Sequence, residues 1–209
     1  MTDNGQEIEA KFYVQDLSRI ERRLEDLGVR LIQARVLETN IRFDLPGAAL
    51  LSEGRVLRLR QDTEARLTYK GPSQNENGIL QRTEIEFVAS DFDKARHFLE
   101  ALGYQKLIRY EKYRTTYQLN RTLVMLDELP FGNFVEIEGE TVAAIRTAAR
   151  QLKLDWGTAI SKSYNALFER LRKTLELSFP DILFVNFANI KVEQAHLGVR
   201  PADSETNQP

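Results

Sequence analysis

The stretch Gln6–Val14 constrains the fold most, because charged and apolar residues alternate strictly within it. Side chains point alternately to the two faces of a β-strand, so a period of two predicts a strand with one apolar face. One face is apolar and the other is charged: Ile8, Ala10 and Phe12 against Glu7, Glu9 and Lys11. The charged face is the unusual one, because it holds two acids followed by a base.

The same mixed-charge alternation returns on strand after strand downstream. If every strand turns its polar face to the same side, that side carries seven acids and seven bases. The acids are Glu7, Glu9, Glu84, Glu86, Asp127, Glu136 and Glu138. The bases are Lys11, Arg58, Arg60, Lys70, Arg82, Lys112 and Arg114. Like charges repeat two residues apart, as at 58/60 and 84/86, and therefore lie side by side.

Two arrangements would produce this pattern. In the first, a curved sheet packs one face on the core and turns the other to water, where exposed ion pairs add little stability. In the second, the charged faces line the inside of a closed barrel, and helices cover the apolar faces outside. The second is favoured, because an inert surface has no reason to place like charges together and the helices have apolar stripes to bury.

A closed interior with this charge predicts a bound, charged ligand. Burying each ion costs several kcal/mol, so the cavity has to hold water and a partner for the charges. Paired Arg and Lys suit phosphate oxygens. Carboxylates repel phosphate unless a divalent cation lies between them, and oxygen ligands favour Mg²⁺ or Mn²⁺. A polyphosphate–metal complex satisfies both sets of charges.

The order of elements predicts the fold class. About eight strands form two groups, each opening with a strand, a helix and two strands. Helices are predicted at 16–27, 90–102, 142–152 and roughly 159–177, and loops at 47–54 and 71–78. Antiparallel strands in this number close most naturally into a barrel. We therefore expect an α+β fold, an eight-stranded antiparallel closed β-barrel with helices packed outside.

The chain divides into two predicted regions. Residues 1–177 are expected to form the barrel domain, and residues 178–209 a C-terminal extension that frays into a disordered tail from 199 onwards. The extension carries no motif with chemistry. Packing across one end of the barrel is its expected role, and a homodimer contact is the alternative.

Composition excludes several classes of protein. The 29 Lys and Arg nearly cancel the 31 Asp and Glu, whereas a nucleic-acid coat or a membrane-surface protein needs a net basic surface. The absence of cysteine excludes disulfides, thiolate metal sites and a cysteine nucleophile. His97 and His196 belong to no motif, so histidine acid–base catalysis is not predicted. The chain has no secretory signal pattern and no apolar run near the ~20 residues of a membrane span, so we expect a cytoplasmic protein.

Six motifs, in order over about residues 6–165, resemble the CYTH superfamily, the triphosphate tunnel metalloenzymes. They are E-x-E-x-K from Glu7, R-x-R from Arg58, K-G from Lys70, R-x-E-x-E from Arg82, K-x-R-x-x-Y from Lys112, and Asp127 followed by G-x-F-x-E-I-E from Gly132. The superfamily includes class IV adenylate cyclases, thiamine triphosphatases and inorganic triphosphatases. The resemblance implies an eight-stranded antiparallel tunnel that binds triphosphate through its bases and a divalent metal through its acids.

The resemblance also implies a role for each site residue. The expected metal ligands are Glu7, Glu9, Asp127, Glu136 and Glu138. The expected phosphate ligands are Lys11, Arg58, Arg60, Lys70, Arg82, Lys112 and Arg114. Glu84 and Glu86 are expected to orient the bases or to hold a second cation. Lys162 matches a basic residue that family members carry on a helix over the tunnel mouth; a solvated lysine is the alternative.

One departure from the family pattern concerns the second strand. Many members carry a pattern like D-x-Y-F-D there, whereas this chain has Asn40 in place of the acid and Arg42 in place of the tyrosine. A mechanism that uses that tyrosine is therefore in doubt. Arg42 is instead a candidate for an additional phosphate contact.

Three functions are compatible with these residues. The first hypothesis is metal-dependent hydrolysis of tripolyphosphate, ATP or thiamine triphosphate, with water as the nucleophile. The alternative is a class IV adenylate cyclase, in which the ribose 3′-hydroxyl of ATP attacks and the products are cyclic AMP and pyrophosphate. The third is a non-enzymatic polyphosphate-binding protein. The first two differ in the register of the phosphates and in the groups that hold the base, which the sequence does not reveal.

Overall fold

Eight long β-strands dominate the computed structural model, which describes residues 5–76 and 79–204. They are β1 (Gln6–Val14), β2 (Arg30–Asp44), β3 (Val56–Gln61), β4 (Ala65–Lys70), β6 (Ile79–Ala89), β7 (Gln105–Leu119), β8 (Thr122–Leu129) and β9 (Gly132–Gly139). A short additional strand, β5 (Gln74–Glu76), pairs with β6. It lies within the segment predicted as the loop 71–78, and the last two residues of that loop fall outside the described residues.

The eight long strands form one ring-like antiparallel sheet. Their order is β1-β9-β8-β7-β2-β3-β4-β6, and β1 also pairs with β6. Each strand of the eight therefore has two neighbours, so a ring of eight antiparallel strands with helices outside, as predicted from the sequence, is confirmed. Closure also leaves no unpaired edge along most of the sheet, which protects the strands from pairing with other chains.

Six α-helices are described, together with two short 3₁₀ segments. The helices are α1 (Leu17–Asp26), α2 (Ala49–Ser52), α3 (Phe92–Ala101), α4 (Val142–Gln151), α5 (Tyr164–Thr174) and α6 (Gln194–Leu197). The 3₁₀ segments are Trp156–Thr158 and Phe184–Phe187. Within the described ranges, no helix has both the length and the apolar composition that crossing a membrane requires.

Two predicted boundaries are wrong. The predicted loop 47–54 contains α2, which is set by Asp44, because its carboxylate accepts hydrogen bonds from the backbone N–H groups of Leu50 and Leu51. The predicted helix at 159–177 begins only at Tyr164. The residues before it follow β1 instead, and Ile160 donates its N–H to the carbonyl of Lys11 at 2.8 Å.

Many outward apolar side chains of the ring pack beneath helices, whereas those of Ile85 and Phe87 on β6 are exposed. On one side, Ile20 of α1 and Ile145 of α4 lie in one buried cluster with Phe12 and Ile137 of the sheet. On another side, α3 packs against β3 and β4, and its Leu99 is buried in one cluster with Ile41 of β2 and Leu59 of β3. Because side chains alternate along each strand, burying the apolar face outside turns the charged face inward.

Local sequence explains where α1 begins and ends. The Asp16 carboxylate accepts hydrogen bonds from the N–H groups of Ser18 and Arg19, which is the role of an N-cap residue. Gly28 has φ +63°, a left-handed conformation that favours glycine after a helix. Ile20 and Leu24, four residues apart, form the buried stripe.

The C-terminal extension packs at one end of the ring. Ile182, Phe187 and Leu197 of the extension lie in a buried cluster with Phe131, from the β8–β9 turn, and with Ile108 of β7. The N–H of Ile182 donates to Arg109 O at 2.9 Å, so main-chain pairing as well as apolar contact holds the extension there. The cluster covers the end of the ring that carries the β8–β9 turn.

Residues 199–204, expected to belong to a frayed tail, are packed against β1. Ala202 donates its N–H to Tyr13 O at 2.8 Å. The buried carboxylate of Asp203 accepts hydrogen bonds from the N–H groups of Gln15 and Asp16 at 2.9 and 3.0 Å. These backbone partners are distant in sequence, so composition did not reveal them. Residues 205–209 of the expected tail lie outside the described residues.

Candidate functional site

The inward side chains of the ring surround a cavity of about 660 Å³. Small-molecule sites typically have roughly 300–1,000 Å³. All residues predicted to act in the site line this cavity, with the exception of Asp127. They are Glu7, Glu9, Lys11, Arg42, Arg58, Arg60, Lys70, Arg82, Glu84, Glu86, Lys112, Arg114, Glu136, Glu138 and Lys162. The convergence of charged faces predicted from the alternation is therefore present in the structure.

Glu7 is compensated by two bases from other strands. Lys70 Nζ donates to Glu7 Oε1 at 2.5 Å, and Arg82 Nε donates to Glu7 Oε2 at 2.7 Å. The pairing of β1 with β6 places Arg82 directly opposite Glu7. Burial alone would raise the pKa of Glu7, but the two cations outweigh it and lower the pKa to about 2. This carboxylate is therefore ionised across the physiological range.

Glu136 is held by bases from two other strands. Lys11 Nζ lies 3.1 Å from one of its oxygens, and Arg114 makes a short contact with the other. Burial opposes ionisation, yet Lys11, Lys112 and Arg114 hold the pKa of Glu136 well below its usual range. The ammonium of Lys11 also lies 4.4 Å from the ring centre of Tyr164, a cation–π contact.

Asp127 does not line the cavity itself, although it shares the inward face of β8 with Leu123 and Met125, which do. Its carboxylate is completely buried and accepts hydrogen bonds from Lys112 at 2.8 Å, from Arg114 at 2.6 Å and from the Tyr164 hydroxyl at 2.8 Å. All of these donors are protein groups, and both carboxylate oxygens are taken. Asp127 therefore holds the two bases in position, and the role of metal ligand that the resemblance implies stays a prediction.

Glu86 anchors a smaller network on β3 and β4. The Thr68 hydroxyl donates to Glu86 at 2.6 Å, and Arg58 Nη2 lies 3.2 Å from that hydroxyl and 3.5 Å from the carboxylate. The pKa of Glu86 is lowered despite its burial, because the Thr68 hydrogen bond and nearby arginines stabilise the charged form. Glu86 is thus placed to orient Arg58.

Two carboxylates remain poorly compensated, Glu9 and Glu138, and they lie directly opposite each other on β1 and β9. The bases nearest to Glu9, Lys11 and Arg82, have nitrogens 3.9 Å away. Burial and the charge of Glu136 raise the pKa of Glu9. Burial, together with Glu7 and Glu84, raises the pKa of Glu138 to about 7.

This surplus of negative charge fits a divalent cation. Hard carboxylate oxygens are the ligands that Mg²⁺ and Mn²⁺ prefer, and a cation would relieve the repulsion that Glu136 exerts on Glu9 and that Glu7 and Glu84 exert on Glu138. Among residues 5–76 and 79–204, no three acids or histidines are gathered into a ready-made metal cluster. The carboxylates are instead spread over one wall of the cavity.

Lys162 is placed differently from the prediction. It lies before α5, next to the N-cap residue Ser163, so it is not on a helix. Its side chain is exposed, and it lies at the rim of the cavity. The residues just before it run alongside β1, where Ile160 donates its N–H to the carbonyl of Lys11, so the observed helix begins after Lys162 although the predicted one includes it.

Sequence reasoning missed three inward residues. Glu38 is buried in the cavity wall between Arg60 and Lys112, whose nitrogens lie 3.4 and 3.5 Å from its carboxylate. Tyr110 and Tyr164 also line the cavity. A signal existed for the first two: Glu38 precedes Arg42 by four residues, and Tyr110 precedes Lys112 by two, so each continues an inward alternation. Tyr164 belonged to an apolar helical stripe, and its sequence gave no such signal.

Comparison with known proteins gives one family match. The model of the CYTH domain matches residues 5–164. The adenylate cyclase CyaB of Aeromonas hydrophila is 28% identical over 174 residues, which cover 81% of this chain and 87% of that protein.

Solved structures share the fold. A Vibrio parahaemolyticus protein named as a candidate adenylate cyclase superposes with a TM-score of 0.71 and 21% identity, covering 79% of this chain and 99% of that one. HpAC1 of Hippeastrum, named as a candidate adenylyl cyclase and described as having a dominant triphosphatase activity, superposes with a TM-score of 0.58 and 18% identity, covering 78% and 95%. At these identities the likeness establishes the fold alone.

Proposed function

This chain belongs to the CYTH domain family, and from that membership and the charged cavity we infer that it is a metal-dependent triphosphatase acting on an inorganic or organic triphosphate. Proteins of the family are enzymes of the adenylate cyclase and triphosphatase kind, and they use divalent cations. Tripolyphosphate, ATP and thiamine triphosphate are the proposed substrates to compare.

The observation that carries the proposal is the convergence of bases from the two halves of the ring on a single cavity. Lys11 of β1, Arg58 of β3 and Lys112 of β7 come from strands far apart in sequence, yet all line it. A chain of three phosphates needs cations spread along its length rather than one positive site. Charge-assisted hydrogen bonds contribute roughly 1.5–3 kcal/mol each, so several such bases would hold a polyanion tightly.

The residues of this chain have distinct proposed tasks. Lys11, Arg58, Arg60, Lys70, Arg82, Lys112 and Arg114 bind and orient the phosphates. The acidic wall where a cation would be held is formed by Glu7, Glu9, Glu136 and Glu138, while Glu84 and Glu86 keep nearby bases in position. A bound divalent cation would neutralise phosphate oxygens and make an oxygen nucleophile more reactive.

Many of these bases are already paired with carboxylates, which has a chemical consequence. Lys70 and Arg82 contact Glu7, and Arg114 contacts Glu136, so their side chains are ordered before substrate arrives. Preordered donors cost little reorganisation when charge develops on the phosphates. The phosphates then share donors that the carboxylates already hold in place.

Adenylate cyclase is the second candidate, favoured by the name of the Aeromonas hydrophila relative. The two reactions use the same phosphate contacts and differ in the nucleophile, which is water in one case and the ribose 3′-hydroxyl in the other. The proposed hydrolysis is preferred, because the cavity wall is dominated by charged side chains that suit phosphates rather than a nucleobase.

Product analysis separates the candidates. Purified protein is incubated with Mg²⁺ or Mn²⁺ and with tripolyphosphate, ATP or thiamine triphosphate in turn. Release of orthophosphate supports the triphosphatase, whereas cyclic AMP and pyrophosphate from ATP support the cyclase. Binding of tripolyphosphate without any turnover would contradict both and leave a binding protein.

The variant Glu9→Gln tests the acidic wall. We expect metal-dependent turnover to be lost while the fold stays intact. The fold should tolerate the change because burial and Glu136 already disfavour the charged form of Glu9, and glutamine is a neutral side chain of the same shape. Turnover is measured beside a thermal melt. Glu25→Gln, an exposed acid on α1, is the matched control. An unchanged rate in Glu9→Gln would remove Glu9 from the proposed site.

A further inference from the structure

A groove of about 1000 Å³ lies on the outside of the ring, between α4, the first 3₁₀ segment and the packed end of the chain. It is lined by Arg146 and Arg150 of α4, by Lys153 and Trp156, which follow α4, and by Ser204. None of these five residues lines the charged cavity inside the ring. The groove is therefore a second concave site, with a volume in the upper part of the range of small-molecule sites, roughly 300–1,000 Å³.

Hydrogen bonds between distant segments fix the walls of the groove. The N–H of Asp155 donates to the carbonyl of Ala202 at 2.9 Å, so the end of the chain is held against the segment after α4. Arg23 of α1 also lines the groove, and its guanidinium donates to the carbonyl of Leu152, just after α4, at 2.7 Å. The groove is therefore built from segments far apart in sequence that the fold holds in place.

Three cations form a row along one side of α4, named here the basic row: Arg146, Arg150 and Lys153. They are four and three residues apart, a spacing that places side chains on one face of a helix. At 1.5 Å per residue, the row extends over roughly 10 Å. All three residues are exposed. Like charges four residues apart on a helix repel each other, so the basic row destabilises α4 unless an anion binds to it.

Within the described ranges, no acid neutralises the basic row. None of its three residues makes an ion pair there, and Arg150 instead contacts the hydroxyl of Thr147 at 3.5 Å. The ten residues of α4 include no acid. Two acids line the groove, Asp155 and Asp203, but their carboxylates accept hydrogen bonds from backbone N–H groups at 2.9–3.0 Å. The positive charge of the row is therefore left uncompensated.

The helix dipole explains only part of the basic row. Arg150 lies in the last turn of α4 and Lys153 just beyond it, where the negative end of the dipole favours cations. Arg146 lies in the middle of α4, more than one turn from its end, so the dipole does not account for it. Its guanidinium lies instead 4.5 Å from the ring centre of Trp156, a cation–π contact that orders it in the groove.

We propose that the groove is a second binding site, which takes a linear phosphate polyanion such as tripolyphosphate. The proposal concerns a surface outside the ring and does not depend on the proposed function. A row of cations roughly 10 Å long suits negative charge spread along a chain better than a single ion. The planar donors of two guanidinium groups suit phosphate oxygens, which they bind in pairs. The volume is that of a small-molecule site, whereas an acidic protein partner would need a contact of roughly 800 Å² on each side.

The fluorescence of Trp156, the only tryptophan of the chain, tests the proposal. Tripolyphosphate is titrated in metal-free buffer, where metal-dependent turnover does not interfere. We expect a saturating change, because a ligand that pairs with Arg146 alters its contact with the indole ring. In Arg150→Ala the midpoint of the titration should rise about 10-fold or more, the loss of one charge-assisted contact, while turnover with Mg²⁺ stays unchanged. The control Arg172→Ala, which removes an arginine of α5 that pairs with Glu169, should retain the midpoint.

Several outcomes would overturn the second site. No fluorescence change, or a midpoint that is the same in Arg150→Ala and in the unaltered protein, would show that the groove does not bind the ligand. An equal response to a triglutamate peptide would show that the groove does not select phosphate. A response that appears only after removal of residues 205–209 would show that the end of the chain itself holds the basic row. Turnover in the cavity is measured separately, so the proposed function stands or fails independently of these results.

Discussion

The substitution Asp127→Asn removes one negative charge from the most connected ion network of the protein. The Asp127 carboxylate is fully buried and holds Lys112, Arg114 and the hydroxyl of Tyr164. Asparagine has the same shape, but its side-chain NH₂ group donates hydrogen bonds, and it would face groups that are themselves donors. The variant therefore leaves two buried cations less compensated without creating a cavity.

The expected loss of stability follows from the burial of this network. Breaking a buried ion pair by removing one partner typically costs about 3–5 kcal/mol. The lower part of this range is expected, because Glu38 and Glu136 remain close to Lys112 and Arg114. For a domain of this size each kcal/mol shifts the melting temperature by roughly 2–4 °C, so the decrease should be on the order of 6–12 °C.

Thermal and urea unfolding of Asp127→Asn, measured without added metal, check this expectation. The matched control is Glu128→Gln, the next residue of β8, whose exposed pair with Arg35 should contribute at most about 1 kcal/mol. A melting temperature of Asp127→Asn equal to that of the control would refute the reasoning. Normal stability combined with weakened Mg²⁺ binding would instead return Asp127 to the metal site.

Two further predictions concern acid stability and the C-terminal segment. Burial would raise the pKa of Glu38, but Lys112, Arg60 and Arg114 hold this pKa well below its usual range. The ionised carboxylate therefore stabilises the fold fully above the unfolded pKa of about 4.3, and this stabilisation is lost as the pH falls below that value. Glu38→Gln should therefore be less stable than the unaltered protein at neutral pH, and it should lose less stability between about pH 5 and pH 3. Urea unfolding at several pH values measures this, and parallel dependences of stability on pH for the two proteins would disprove the argument. Asp203→Ala leaves the N–H groups of Gln15 and Asp16 without their acceptor and should cost about 1–3 kcal/mol, whereas the exposed Ser204→Ala should be neutral; equal stabilities would show that residues 199–204 do not contribute to the fold.

The sequence by itself determined the elements and the faces of the strands. A period of two assigns Glu7, Glu9 and Lys11 to one face whatever the strand pairs with, because side-chain direction is a local property of the backbone. The same holds for α1, because local residues set its start at Asp16 and its end at Gly28. The alternation of charged and apolar residues along the strands was therefore sufficient to predict a ring of strands with a charged interior.

Only the tertiary structure decided what each charge does. Glu7 and Glu9 belong to one motif and one face, yet Arg82 and Lys70 hold the pKa of Glu7 low against its burial, while burial and Glu136 raise the pKa of Glu9. Within the described ranges Arg42 remains unpaired, and Asp127 is fully engaged by Lys112, Arg114 and Tyr164 for the same reason. The energy of a buried charge depends on distances to groups on other strands, and strand register, not sequence spacing, sets those distances.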